Sequence, residues 1–184
     1  MRSRTHPNND GTAEENAEFY HKILPFAKDH GVKIATENMY NWDRENNAPT
    51  SCFAACATSE SFLKHLELVN APWLVACLDL GHADMKGSGD GAVNMIHALG
   101  NHLQALQIHD NDKINDCHQI PFSMSMDFEA IAKALKEVNY AGYLTLEATE
   151  YLPQFYTAET AFDGVKNLFQ SVKKLDHMIQ DASV

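Results

Sequence analysis

Apolar residues recur at helical spacing in five stretches of this chain and collect into short runs in four others. "TAEENAEFYHKILPFAKDHG" (12–31) carries Phe19, Ile23 and Leu24 on one face behind a capping pattern, Thr12 and Glu15, and stops at Gly31. Pro25 inside it predicts a kink. "TSESFLKHLELVN" (58–70) aligns Phe62, Leu63, Leu66 and Val69, and "DGAVNMIHALG" (90–100) ends at a glycine. "MDFEAIAKALKEVN" (126–139) turns Phe128, Ile131, Leu135 and Val138 inward. The last helix, about 158–179, has a stripe of Phe162, Val165, Leu168, Phe169, Val172 and Leu175. Between these lie "VKIATE" (32–37), "WLVACLD" (73–79), "LQALQIH" (103–109) and "YLTLE" (143–147), which read as strands.

Strands alternating with helices predict right-handed βα units around a parallel sheet, an α/β fold. All strands of such a sheet point the same way. The four runs end at Glu37, Asp79, His109 and Glu147, so these side chains gather at one carboxyl edge, where α/β proteins build their sites. One acid at a strand end is ordinarily a helix cap or a turn residue. Four proton-moving or metal-ligating groups at four strand ends favour a common site.

Composition narrows the partners. With 184 residues, 45% of them hydrophobic, the chain can bury one sizeable core and reads as a single domain over 1–184, with residues 1–11 extended or disordered. A net charge of −11 with 14 Lys plus Arg argues against nucleic acid. No apolar run is long enough for a membrane span, and the basic start lacks an apolar segment behind it, so the reading is a cytoplasmic protein. Cys52, Cys56, Cys77 and Cys117 show no CxxC spacing and read as free thiols, with Cys52 and Cys56 placed on one helix face for packing. "GSGDG" (87–91) reads as a loop without any Walker pattern, and Asp110 and Asp112 as turn residues. Tyr40 and Trp42, close behind Glu37, are candidates for lining a pocket or for plain packing.

"IATENMYNWD", "CLDLGHADMKG", "LQIHDND…DCHQIPF" and "GYLTLEA", in that order, resemble the carboxyl-terminal half of the xylose isomerase-like TIM barrels, a superfamily of sugar and sugar-phosphate isomerases and epimerases that also contains the endonuclease IV type of DNA repair enzyme. The resemblance covers about residues 12–180. It implies half of a (β/α)8 TIM barrel, four parallel strands alternating with helices. It implies Glu37, Asp79, His109 and Glu147 as metal ligands, with Glu37 and Glu147 also acting as the catalytic acid and base. His82 matches a substrate-orienting histidine, and Asp43 stands where the epimerase branch has a substrate-contacting glutamate. Asn115 stands where that branch often has an arginine, which bears on the substrate rather than on the metal. Asp116 and His118 match part of a second metal site in endonuclease IV-like members.

The residue chemistry agrees with this. Three carboxylates and one imidazole suit Mn²⁺ best, with Mg²⁺, Co²⁺ or Zn²⁺ as alternatives. A divalent ion holding adjacent oxygens of a small sugar or sugar phosphate would acidify the carbon-bound proton and stabilise an enediolate. Glutamates on opposite faces would then epimerise, and a shift on one face would isomerise. The rivals are an endonuclease IV-like zinc phosphodiesterase and a noncatalytic sugar-binding or interaction domain. A complete barrel takes about 250 residues. Four strands would leave an open inner face and two unpaired edges, which predicts a homodimer or a missing amino-terminal half.

Overall fold

The computed structural model describes residues 2–5, 8–155 and 157–183. A parallel sheet runs in the order β1 (Arg2–Thr5), β2 (Lys33–Glu37), β5 (Leu74–Asp79), β6 (Leu103–Gln107). Residue 146 extends it by a single parallel bridge to Ile108, supported by the Glu147 amide donating to the Ile108 carbonyl at 2.9 Å. The sheet therefore has four strands, though not the four expected. Arg2–Thr5, within the segment expected to be extended or disordered, supplies β1 against β2. Residues 1, 6 and 7 of that segment lie outside the described residues. The 143–147 run makes a single bridge, Leu146 to Ile108, one residue beyond the end of β6, rather than a full strand.

Helix α1 (Ala13–Asp29) is capped reciprocally by Thr12 and Glu15 and runs through Pro25 as one element. Helices α2 (Ser59–Val69), α4 (Ala92–Leu99), α5 (Phe128–Glu137) and α6 (Ala158–Asp181) fall where the apolar spacing places them. Thr58 caps α2, and Asn70 closes it in the left-handed conformation. Two elements carried no periodic signal. A hairpin of β3 (Asn41–Asp43) and β4 (Ala48–Thr50) follows β2, and a five-residue helix α3 (Leu80–Asp84) follows β5.

The helices cover one face of the sheet. Tyr20 and Leu24 of α1, Phe62 and Leu66 of α2, Met95 and Ile96 of α4, and Ile131 and Leu135 of α5 pack there on Ile34, Leu74, Ala76, Leu78 and Leu106. In α1 it is Tyr20 that is buried, its hydroxyl 2.7 Å from Thr36 Oγ1, while Phe19 stays partly exposed. The other sheet face carries a small second cluster of Ala35, Val75 and Cys77 with Ala105 against it. These inner-face side chains were expected to lie open to water, yet Ala35, Val75 and Cys77 are buried and Ala105 partly so. In α6 Leu175 is buried, whereas Phe162, Val165 and Phe169 of the same apolar stripe stand exposed.

All four cysteines are free. Cys52 and Cys56 do not share a helix, since residues 51–57 are turns and Cys56 takes a φ of 57°. The glycine-rich loop 87–91 is structural. Ser88 is buried and donates to the carbonyls of His82 and Met85, Asp90 accepts from the Ser59 amide, and Ser51 donates to the Gly87 carbonyl. No helix among the described residues is long and apolar enough to cross a membrane.

Candidate metal centre

Strand alternation builds the site. On β2 the positions that face away from the helices are Ala35 and Glu37, and on β5 they are Val75, Cys77 and Asp79. Each inner row starts small and apolar and ends in a carboxylate. Gln107, in register with Asp79, and His109 continue the row across β6. Glu37, Asp79, Gln107 and His109 are all buried.

Asp79 does two jobs. Its Oδ1 caps α3 by accepting from the His82 amide at 2.8 Å, and it also accepts from His109 Nε2 at 3.0 Å. Capping and clustering are thus compatible uses of one oxygen, and the cap sets His82 one turn along at the site. Asn38 fixes this end of the strand: its Oδ1 accepts from the Asp79 amide at 2.7 Å and its Nδ2 donates to the Asp79 carbonyl at 3.0 Å.

His82, Asp116 and His118 meet at a single oxygen. His82 Nδ1 donates to the Asn38 carbonyl at 3.1 Å, and His118 Nδ1 to the Glu147 carbonyl at 2.8 Å. Their Nε2 atoms both point at Asp116 Oδ2, at 3.4 and 3.0 Å, and the Tyr40 hydroxyl donates to the same atom at 3.4 Å. The His118 ring stacks on His109 at 4.2 Å, and Tyr40 meets His82 edge-on at 5.0 Å.

Charge explains the protonation. Burial pushes the His82 imidazole down, but the Asp79 charge and the Asp116 carboxylate outweigh it and carry the pKa up to about 10. The Asp116 hydrogen bond raises His118 to about 9, against partial burial. Burial likewise works to raise both carboxyls; His118 and His82 overcome it at Asp116, and the charge of His82 with the His109 hydrogen bond overcomes it at Asp79, so both are held below the usual carboxylate range. Tyr40 is pushed up to about 12 by burial and by Asp116.

Donor atoms of His82, His109, Asp116 and His118 lie within 4.8 Å of one another, and so do those of Glu37, Asp79 and His82. The residues fit a cation. Asp79 Oδ2 and Asp116 Oδ1 are buried without a hydrogen-bond partner, a costly state that a ligated ion would relieve. The His82 and His118 Nδ1 bonds to backbone carbonyls are the outer-shell contacts that orient metal-ligating histidines. Two imidazolium protons aimed at one carboxylate oxygen occupy the place an ion would take.

Of the residues singled out from sequence, Glu37, His82, Asp116, His118 and Glu147 line one open cavity of about 400 Å³, with Tyr40 and Trp42. Asp79 and His109 do not line it: they are bonded to each other and 0% exposed, in contact with His82 and Asp116, which do. Asp43 lies elsewhere. Its carboxylate accepts from the Glu45 and Asn46 amides and from Asn46 Nδ2, and it borders a separate groove. Asp110 and Asp112 shape the following loop: Asp110 accepts from the Asn111, Met124 and Met126 amides, and Asp112 from Ile114 and Asn115. Asn38 and Gln107 were missed. Gln107 Nε2 donates to Glu37 Oε2 at 3.3 Å, and an amide two residues before His109 was the available signal.

The profile of the xylose isomerase-like TIM barrel family matches residues 3–171. The uncharacterised protein MJ1311 of Methanocaldococcus jannaschii is 27% identical over 126 residues, which is 68% of this chain and 40% of that protein. A D-tagatose 3-epimerase-like protein of known structure superposes with a TM-score of 0.70 at 20% identity, over 97% of this chain and 64% of that one. The 3-keto-D-glucoside 4-epimerase YcjR from E. coli gives 0.64 at 17% identity, over 90% and 53%. These likenesses establish the fold, and the chain spans under two thirds of each relative.

Proposed function

Because the chain belongs to the xylose isomerase-like TIM barrel family, we propose that it is the metal-binding part of a sugar or sugar-phosphate isomerase or epimerase. The supporting observation is the convergence of buried Glu37, Asp79, His82 and His109 with partly exposed Asp116 and His118 at one sheet edge, with an orphaned oxygen on each of Asp79 and Asp116. Glu37, Asp79, His109 and Glu147 would hold one divalent ion, Mn²⁺ by the oxygen-rich set. When bound, the ion supplies positive charge that acidifies a proton next to a carbonyl and stabilises the enediolate. Glu37 ends β2, and Glu147 follows the bridge to Ile108, so two other strands separate them across the site. One would take a proton from carbon and the other return it, which is epimerisation; return by the same carboxylate is isomerisation. His82, held by Asn38, orients a substrate hydroxyl. The reading includes a cytoplasmic enzyme of carbohydrate metabolism whose barrel is completed by an amino-terminal half or a second copy.

The endonuclease IV-like alternative has one favourable observation, the His82, Asp116, His118 trio, which would suit a second ion of the zinc type. The net charge of −11 opposes a DNA substrate.

Equilibrium dialysis with manganese and zinc tests the reading. One manganese ion per chain, lost in Asp79→Ala and His109→Ala, is the expected result. Two or three zinc ions would move the assignment to the phosphodiesterase, and no ion to the noncatalytic domain.

A further inference from the structure

Trp42 borders two spaces. Besides the cavity above the carboxylates there is a separate groove of about 600 Å³, bordered by Asp10, Asp43, Arg44, Thr50 and Phe53, and both Asn41 and Trp42 line the two. Trp42 stands on β3 in register with Pro49 of β4, and 39% of it is exposed.

The hairpin that carries it is fixed at several points. Asn9 Nδ2 donates to the Tyr40 carbonyl at 3.1 Å and to Asn41 Oδ1 at 2.9 Å, and Asn41 Nδ2 donates to the Cys52 and Phe53 carbonyls at 3.1 and 2.7 Å. The Ser51 amide reaches the Gly87 carbonyl at 2.7 Å, and any Cβ on Gly87 would press on the Pro49 carbonyl at 2.7 Å. A partly exposed indole is thus held by a braced hairpin at the border of two spaces, one lined by Glu37 and His82 and the other in part by Arg44. An indole presents a flat apolar face that suits the C–H face of a sugar ring, and holding it in place beforehand lowers the ordering cost of binding.

We propose that the substrate is a two-ring glycoside rather than a free monosaccharide. One ring sits in the inner cavity over Glu37 and His82, and the second lies in the outer groove toward Arg44 and Phe53, with the Trp42 indole as their common wall. This rests on the sugar-epimerase reading and narrows its substrate class. The inner cavity of about 400 Å³ admits a sugar ring; the groove that shares Asn41 and Trp42 with it gives a glycosidic substituent somewhere to go.

Calorimetric titration of the manganese-loaded chain with D-fructose and with lactulose, the same ketose bearing a galactosyl ring, tests this. Lactulose is expected to bind at least tenfold tighter. Trp42→Ala should weaken lactulose about tenfold, with Trp42→Phe retaining most of the affinity, and manganese affinity should be unchanged in both. Arg44→Ala should lower lactulose binding and leave fructose alone. Equal affinity for the two sugars, binding of neither, or an unaltered Trp42→Ala variant overturns the two-ring proposal while the metal site stands. A chain that takes up no manganese sinks the epimerase reading itself, and this proposal with it.

Discussion

The imidazole of His109 occupies the space that a Cβ on Gly81 would need. Gly81 is the second residue of α3, and its carbonyl also accepts from Asn111 Nδ2 at 3.0 Å. The helix following β5 therefore touches the end of β6 backbone to ring, which lets His109 reach Asp79. Gly81→Ala should displace the imidazole, cost about 1–3 kcal/mol and abolish manganese uptake. Urea denaturation beside metal dialysis checks it; a variant with wild-type metal affinity would show that the ring has another seat.

Asn38 stands in for strand pairing where β2 and β5 have run out. Its amide satisfies both backbone groups of buried Asp79. Asn38→Ala orphans both, each costing about 1–3 kcal/mol. Asn38→Asp keeps the acceptor and should fall between. The denaturation midpoints should rank wild type, Asp, Ala, and an Ala variant as stable as wild type would refute the clamp.

His65 predicts an acid-sensitive step away from the site. Its Nδ1 donates to the Ser61 carbonyl at 2.7 Å, and its Nε2 accepts from Asn16 Nδ2 at 3.3 Å, which only the neutral ring can do. Burial lowers its pKa, against the Ser61 bond that raises it. The folded chain thus binds fewer protons here than the unfolded chain. The contribution is full above the ordinary histidine value of about 6.5 and is lost as the pH falls below it. His82 and His118 act with the opposite sign in the metal-free chain: their raised values stabilise below about 6.5, and that stabilisation is lost toward pH 9 to 10. Thermal melts of wild type and His65→Gln between pH 8 and pH 5 separate the terms. The variant should lose less stability on acidification; parallel curves would remove His65 from the account.

The two glutamates should carry proton transfer. In a completed barrel, Glu37→Gln and Glu147→Gln should each slow exchange of ketose protons with deuterium from solvent about 10²- to 10⁴-fold. Metal content must be followed together with exchange, since each change also removes a ligand charge. Exchange at the wild-type rate with metal still bound would take that glutamate out of the mechanism.

The exposed stripe of Phe162, Val165 and Phe169 on α6 is apolar surface of the kind that marks an interface. Sedimentation of the chain should show self-association, and replacing Phe162 and Phe169 by Ser should reduce it. A monomer at all concentrations would leave that face without a partner in a second copy.

Local pattern was enough for much of this. Period-3.6 apolar spacing located α1, α2, α4, α5 and α6, because a helix stripe is written in consecutive residues. Short apolar runs located the β2 and β5 strands, and parallel order placed Glu37 and Asp79, at their ends, at one carboxyl edge. The convergence of acids and histidines at one edge followed from parallel order alone. What local pattern could not carry was anything that depends on a distant neighbour. β1 is four residues without a hydrophobic signature, and it is a strand because β2 offers it an edge. The 143–147 run has the signature, yet makes one bridge, because it meets its neighbour at Ile108, where β6 has already ended. Asp43 has the right spacing from Glu37, but its oxygens go to the adjacent turn amides, a contest decided by hairpin geometry. The shared oxygen of Asp116 likewise exists only after three separate loops have been brought together. Sequence by itself determined which residues had the chemistry and which edge of the sheet they share. Tertiary packing decided which of those groups lie within bonding distance, because that distance is set by elements dozens of residues apart.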